Sequence, residues 1–126
     1  MKIINTHRAP KAIGPYSQAI KHNNLMFTSG QIPLNPDTGL IVSEDFKEQV
    51  HQCLKNIKGI LEEENLSLNS IIKLTVYVID LNNFSKLNEV FEDFFIENYP
   101  ARSALEVSRL PKDSQVEIEA VCSYEN

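Results

Sequence analysis

A helical pattern followed directly by a β-rich run occupies the centre of this 126-residue chain. The apolar positions of the first part recur at helical spacing: Val50, Cys53, Leu54, Ile57 and Leu61. With Ser43 or Asp45 as cap, and Glu48 completing a capping box with Asp45, they predict a helix over about 45–64. The run IIKLTVYVI, residues 71–79, is rich in β-branched residues and predicts a strand. The fold must therefore combine helices with a sheet.

Further elements are predicted on both sides of this centre. Residues 16–29 predict a β-hairpin that turns at 22–24, and the Gly- and Pro-containing segment GQIPLNPDTG predicts a loop. Asn82 or Asn83 can cap a second helix, which must end before Pro100. With two closing strands the order is ββαβαββ. We expect an α+β fold in which two helices cover one face of a five-stranded mixed sheet, leaving the other face wet or against another subunit.

The closing segment PARSALEVSRLPKDSQVEIEAVC, residues 100–122, predicts a hairpin around a turn at 109–114. If Val107 lies opposite Val116, alternation of side chains gives one polar and one apolar face. The polar face would carry Arg102, Ala104, Glu106, Glu117, Glu119 and Val121. The apolar face would carry Leu105, Val107, Val116, Ile118, Ala120 and Cys122. The polar face is either a solvated surface with weak ion pairs or a site for a ligand, and the alternation itself leaves both open.

Charge and composition argue against several classes of function. The formal net charge is −5 and there is no basic run, so we expect no nucleic-acid partner. The N-terminus lacks the apolar core of a signal peptide and no apolar run could span a bilayer, so we expect a cytosolic protein without membrane contact. Cys53 and Cys122 lack redox or zinc spacing and are predicted to be reduced core residues. The three histidines show no ligand spacing, so no metal site is expected.

Four blocks of sequence carry a resemblance to a known family. They are IGPYSQA (13–19), TSGQIPLNPDTG (28–39), DLNNF (80–84) and PARSALEVSRLPKDSQVEIEAV (100–121). In order and spacing, the chain resembles the reactive intermediate deaminase family, also called RidA or YjgF, over essentially its full length. The resemblance implies one domain over residues 1–126, a chorismate-mutase-like α+β fold, and a homotrimer with pockets at the clefts between subunits.

The same resemblance implies an activity. The family hydrolyses small enamines and imines, such as 2-aminoacrylate, 2-iminopropanoate and 2-iminobutanoate, to 2-keto acids and ammonia. No metal or organic cofactor is used. Removal of these reactive metabolites protects pyridoxal-phosphate enzymes.

Site residues carry over position by position. The family's arginine that binds the substrate carboxylate corresponds to Arg102, and its water-positioning glutamate to Glu117. Tyr16, Ser29 and the backbone of Gly30 correspond to further pocket residues. Arginine suits the first role because its planar guanidinium donates two parallel hydrogen bonds to a carboxylate. A glutamate suits the second because it can accept a proton from water and return it to the departing nitrogen.

The chain departs from the family pattern at one pocket position. Many members have cysteine two residues after the arginine, whereas this chain has Ala104. Attack by water needs no protein nucleophile, so activity is expected to survive the loss of the thiol.

Two alternatives compete with the deaminase. One is a trimeric binding module with a regulatory role, which captures small 2-keto or 2-amino acids at Arg102 without turnover and reports metabolite level to a partner. Such a module would not need Glu117. The other is a ribonuclease or translation inhibitor, activities attached to some relatives, which the acidic charge disfavours.

Overall fold

The computed structural model of the protein describes residues 1–125. Six strands and two α-helices follow one another in the order βββαβαββ. The strands are β1 (Lys2–Ile4), β2 (Ala19–His22), β3 (Leu25–Thr28), β4 (Ile71–Val78), β5 (Ala101–Glu106) and β6 (Val116–Ser123). The helices are α1 (Phe46–Glu63) and α2 (Phe84–Phe94). Three short 3₁₀ turns cover Leu68–Ser70, Leu81–Asn83 and Pro111–Asp113.

Most elements form where the local sequence predicts them. The Asp45 side chain caps α1 by accepting a hydrogen bond from the Glu48 backbone N–H at 3.0 Å. The β2–β3 hairpin turns at Asn23, whose φ of 55° is a conformation that asparagine tolerates. Asn83 precedes α2 without a side-chain cap, and α2 ends at Phe94, before Pro100. The α+β fold class is confirmed.

The sheet is mixed, with strand order β1-β2-β3-β6-β4-β5. Only the β4–β5 pair is parallel; the other neighbours in the sheet are antiparallel. Its first strand, β1, was not predicted, so the sheet has six strands and not five. The core lies between one face of the sheet and the helices. Its fully buried residues include Leu54, Ile57, Leu74, Val76 and Ile118.

The predicted closing hairpin is wrong, because β4 lies between β5 and β6. The strand after α2 runs parallel to β4, as a strand–helix–strand crossover requires, and does not fold back on β6. Arg102 pairs with the buried Leu74, so it shares the helix-covered face. Alternation then puts Ala104 and Glu106 on that face too. The assumed pairing of Val107 with Val116 therefore assigned every β5 side chain to the wrong face of the sheet.

The other face of the sheet, which we call the open face, is not covered by the helices. It carries Phe27, Tyr77, Leu105, Glu117 and Glu119. Leu105, predicted to be in the apolar core, is 41% exposed here. Phe27 is 44% exposed. The prediction for β6 is confirmed: Val116, Ile118, Ala120 and Cys122 are buried, and its glutamates lie on the open face.

Candidate functional site

A cleft of about 430 Å³ opens beside Glu117. Its lining residues are Pro10, Lys11, Ile13, Tyr16, Ser29, Gly30, Gln31, Ile32, Leu34, Pro111 and Glu117. Four of the predicted site residues, from three separate segments of the chain, therefore meet in one cavity. Most of the remaining wall is aliphatic, which leaves the Glu117 carboxylate in an environment of low polarity.

Backbone hydrogen bonds fix the segment after β3 against β6. Gln31 and Ile118 exchange two of them, at 2.8 and 3.1 Å. This bridge places Gly30 against the side chain of Glu117. A Cβ at position 30 would overlap the Oε2 atom of Glu117 and lie 2.8 Å from its Cδ. Glycine is therefore needed here for close approach, because its missing side chain leaves the space that the carboxylate occupies.

Ser29 and Tyr16 are held by the neighbouring loop. The Ser29 hydroxyl donates to the Ser17 carbonyl at 2.6 Å, and its backbone N–H donates to Gln18. The Tyr16 hydroxyl accepts from the Ile13 N–H at 3.2 Å, which folds the ring over the 13–16 turn. Both residues line the cleft.

Glu117 differs from the other carboxylates of the last two strands. It is half-buried and accepts no hydrogen bond from the residues that the structure describes. Burial raises its pKa, and the negative charge of Glu119 raises it further. Glu119 instead accepts a hydrogen bond from the Tyr77 hydroxyl, and Glu106 accepts one from the Leu81 N–H. Glu117 is therefore the carboxylate that remains available to a ligand in the cleft.

Several lining residues escaped sequence reasoning because a loop delivers them. The buried Gln18 side chain makes four hydrogen bonds to backbone groups of Thr6, Ala9 and Pro10. These bonds hold the N-terminal loop beside β3, so that Pro10 and Lys11 reach the cleft. Gln18 lies within the IGPYSQA block, but nothing in its local pattern shows which backbone it binds.

Arg102 lies outside this cleft. Its guanidinium carbon sits over the rings of Phe84 and Phe91 on α2, at 5.0 and 4.9 Å from their centroids. The Arg102 guanidinium makes no hydrogen bond or ion pair with residues 1–125. Partial burial lowers its pKa from the usual value, but a guanidinium remains protonated at neutral pH. Arg102 borders a second pocket, of about 330 Å³, together with Tyr99 and Pro100.

Ala104 lies next to Arg102 on the same face of β5 and packs against the edge of the core. Position 104 therefore belongs with the arginine and not with the Glu117 cleft. A side chain there can contact only a ligand that is bound at the edge strand.

Arg102 and Glu117 are too far apart within one chain to bind the same small molecule. Arg102 pairs with Leu74 and Glu117 with Tyr77, three residues further along β4 (77 minus 74). At about 3.3 Å per residue and 4.8 Å between strands, their α-carbons lie about 14 Å apart. Their side chains also point to opposite faces of the sheet. The sequence prediction that both share one face is wrong.

Comparison with known proteins identifies the relatives of the chain. The model of the family described as Endoribonuclease L-PSP matches residues 6–123. A RutC family protein of Pyrococcus abyssi is 56% identical over 98% of both chains. The structure of the Escherichia coli YjgF gene product superposes with a TM-score of 0.94, at 47% identity over 98% of each chain. The chain belongs to the RidA/YjgF family. Membership agrees with the resemblance carried by the four sequence blocks.

One relative in the RidA/YjgF family, TdcF of Escherichia coli, has both a name and a bound ligand that concern function. The E. coli protein named "Putative reactive intermediate deaminase TdcF" is 50% identical over 95% of both chains. A crystal structure of E. coli TdcF with bound serine superposes with a TM-score of 0.93, at 48% identity over 98% of each chain. A deaminase role is thus supported at the level of the family.

Within residues 1–125, no three His, Cys, Asp or Glu side chains are grouped in a way that could hold a metal ion. No helix among them has the length and apolar character needed to cross a membrane. Cys53 and Cys122 are both free and buried.

Proposed function

We propose that the protein hydrolyses small 2-imino acids and their enamine tautomers to 2-keto acids and ammonia. The observation that carries the proposal is Glu117, a half-buried carboxylate with a raised pKa and no described partner, held against Gly30 in a cleft with aliphatic walls. A carboxylate in such an environment suits general acid–base work, because its pKa is moved toward neutral pH. Membership of the RidA/YjgF family supports this chemistry.

The substrate would be bound between two subunits of a homotrimer. Since Arg102 and Glu117 of one chain cannot meet on a substrate of three or four carbons, we infer that each site combines the Glu117 cleft of one protomer with the Arg102 edge of its neighbour. The partly exposed apolar residues of the open face, including Phe27 and Leu105, are consistent with a sheet that packs against other subunits.

The roles of the residues follow from their chemistry. Arg102 would bind the substrate carboxylate through two parallel hydrogen bonds and fix the position of the imine carbon. Glu117 would accept a proton from a water molecule as its oxygen bonds to that carbon, forming a carbinolamine. With the imine entering in its protonated form, the same proton would then pass to the amino nitrogen, and the carbinolamine hydroxyl would give its own proton to the Glu117 carboxylate as the C–N bond breaks, releasing ammonia and leaving the 2-keto acid. Tyr16, Ser29 and the Gly30 backbone would line the site.

The substrates proposed are 2-aminoacrylate, 2-iminopropanoate and 2-iminobutanoate. Each has a carboxylate for Arg102 and a short apolar chain for the aliphatic wall formed by Ile13, Ile32 and Leu34. Clearing such compounds would protect pyridoxal-phosphate enzymes, which release them. Ala104, in place of a larger thiol, would leave slightly more room beside the carboxylate.

We further propose that residues 1–126 act as one deaminase domain in the cytosol. Two free, buried cysteines are typical of proteins from a reducing compartment.

The experiment couples an amino acid oxidase, which makes 2-iminopropanoate from alanine, to competition between the protein and semicarbazide. Active protein lowers the yield of semicarbazone. We expect Arg102→Ala and Glu117→Gln each to remove this effect, while Glu119→Gln retains most of it. Full activity of Glu117→Gln would show that the assigned acid–base group is wrong.

A second candidate is a carboxylate-binding module without turnover. The serine bound in the E. coli TdcF structure favours it, since an amino acid has the carboxylate but no imine. The two candidates differ at Glu117. If wild type and Glu117→Gln bind pyruvate equally and neither suppresses semicarbazone, the binding module takes first place.

The name of the family model raises ribonuclease activity as a third candidate. RNA binding is electrostatically unfavourable here, because the chain carries a formal charge of −5 and the cleft is lined by a single lysine, Lys11, and the Glu117 carboxylate. Filter binding to single-stranded RNA at two salt concentrations tests it. Tight binding that weakens as salt rises would support a ribonuclease.

A further inference from the structure

The surroundings of Arg102 contain a feature that the proposed reaction does not yet explain. Phe84 and Phe91 are separated by seven residues, which is two helical turns, so their rings lie on the same side of α2. At about 1.5 Å per residue this spacing is about 10.5 Å. The guanidinium carbon of Arg102 is 5.0 Å from one ring centroid and 4.9 Å from the other. The guanidinium is therefore within reach of both rings on this side of α2.

We propose that Phe84 and Phe91 form an aromatic slot that positions the Arg102 guanidinium for carboxylate binding. This inference rests on the proposed function, in which Arg102 binds the substrate carboxylate. The two phenylalanines are positioning residues, since they act on the substrate through Arg102.

The aromatic slot provides contacts that hold the Arg102 guanidinium, which the edge strand β5 does not provide. No residue among 1–125 accepts a hydrogen bond from the Arg102 guanidinium or forms an ion pair with it, so the aromatic rings are the principal described contacts of this group. A cation over a ring face is attracted by the ring quadrupole, and arginine favours this arrangement. The guanidinium carbon lies over both rings and its N–H groups have no described acceptor, so these donors stay free for a carboxylate.

The two rings differ in burial, so the contribution of Phe84 can be tested without disturbing Phe91. Phe91 is 4% exposed and belongs to the core, so its ring is a fixed wall. Phe84 is 40% exposed at the first turn of α2 and can be changed without opening the core. Phe84→Leu removes the ring face while keeping an apolar side chain, and Phe84→Tyr keeps the ring.

The test measures pyruvate affinity by calorimetry and the KM for 2-iminopropanoate. We expect Phe84→Leu to weaken both by roughly 3- to 30-fold with little change in kcat, because ground state and transition state lose the same contact. Phe84→Tyr should restore both values. The matched control is Phe94→Leu on the same helix, whose ring packs against His51 and not against Arg102. The pyruvate affinity and KM of Phe94→Leu should stay within about twofold of the wild-type values.

A double variant separates a positioning role from a structural one. If Phe84 acts through Arg102, Phe84→Leu leaves unchanged the weak residual pyruvate affinity that Arg102→Ala shows at high ligand concentration. Equal losses in both backgrounds would overturn the slot. The slot would also be overturned if Phe84→Leu keeps the wild-type pyruvate affinity and KM while Arg102→Ala weakens binding. In that case the proposed function stands. If Arg102→Ala itself binds and turns over normally, the proposed function fails at its first step.

Discussion

Gly30→Ala provides a direct test of how Glu117 is positioned. The new Cβ would lie 2.8 Å from Cδ of Glu117, whereas ordinary contact begins at 3.4 Å, so Cδ must move by at least 0.6 Å (3.4 minus 2.8). The overlapped Oε2 atom must move further. A catalytic group misplaced by about 1 Å loses about 10²-fold in rate. Gly30 is not among the residues with positive φ, so alanine causes no backbone strain. We therefore expect kcat to fall about 10²-fold.

The assay is suppression of semicarbazone formation, measured together with thermal unfolding. Gly14→Ala is the matched control, because its Cβ would lie 3.5 Å from the Tyr16 ring, an ordinary contact. It should retain activity. We expect Gly30→Ala to keep its melting temperature, since the half-buried Glu117 side chain can rotate away. Wild-type turnover in Gly30→Ala would refute the argument that the reaction depends on this carboxylate position.

The remaining predictions concern stability and thiol reactivity. Burial raises the pKa of Glu117, so its ionised form destabilises the fold, and this destabilisation grows as pH rises through the raised pKa. Glu117→Gln should therefore raise the melting temperature at neutral pH but not near pH 4. Burial alone would raise the pKa of Glu64, but the hydrogen bonds that its carboxylate accepts give a net lowering of this pKa. The stability that ionised Glu64 contributes is therefore lost as pH falls through the lowered pKa, and Glu64→Gln should have a lower melting temperature than wild type at neutral pH. Gln18→Ala breaks four hydrogen bonds and should lower the free energy of unfolding in urea by about 3 kcal/mol. Burial raises the pKa of the Cys122 thiol to about 12. Burial also holds the pKa of the Cys53 thiol well above its usual range, so a thiol reagent should label both residues no faster than the protein unfolds.

Local patterns in the sequence predicted the helices and most strands correctly. The α1 cap at Asp45 and the alternation along β4 and β6 are set by neighbours in the chain, so they can be read without a structure. The pairing of β5 is a different matter. Whether Arg102 faces the helices depends on its partner strand, and the nine residues between β5 and β6 contain turn signals that suit a hairpin as well as a longer connection.

The candidate site was predictable only in part for a similar reason. Tyr16, Gly30 and Glu117 stand in recognisable blocks, and the structure brings them together in one cleft. Lys11 reaches that cleft through the hydrogen bonds of Gln18 to backbone groups, which have no sequence signature. The separation of Arg102 from Glu117 depends on strand order, so it became visible only once the sheet was known.

The central claim is that each site takes Glu117 from one protomer and Arg102 from another. Arg102→Ala and Glu117→Gln chains, each inactive alone, are unfolded, mixed in equal amounts and refolded, and mixed trimers are verified by native mass spectrometry. Random assembly gives an intact Glu117 with probability one half and an intact neighbouring Arg102 with probability one half, so about one quarter of sites regain both residues. We predict recovery of about one quarter of the activity of refolded wild type. Mixed trimers that remain as inactive as either variant alone would contradict the shared site.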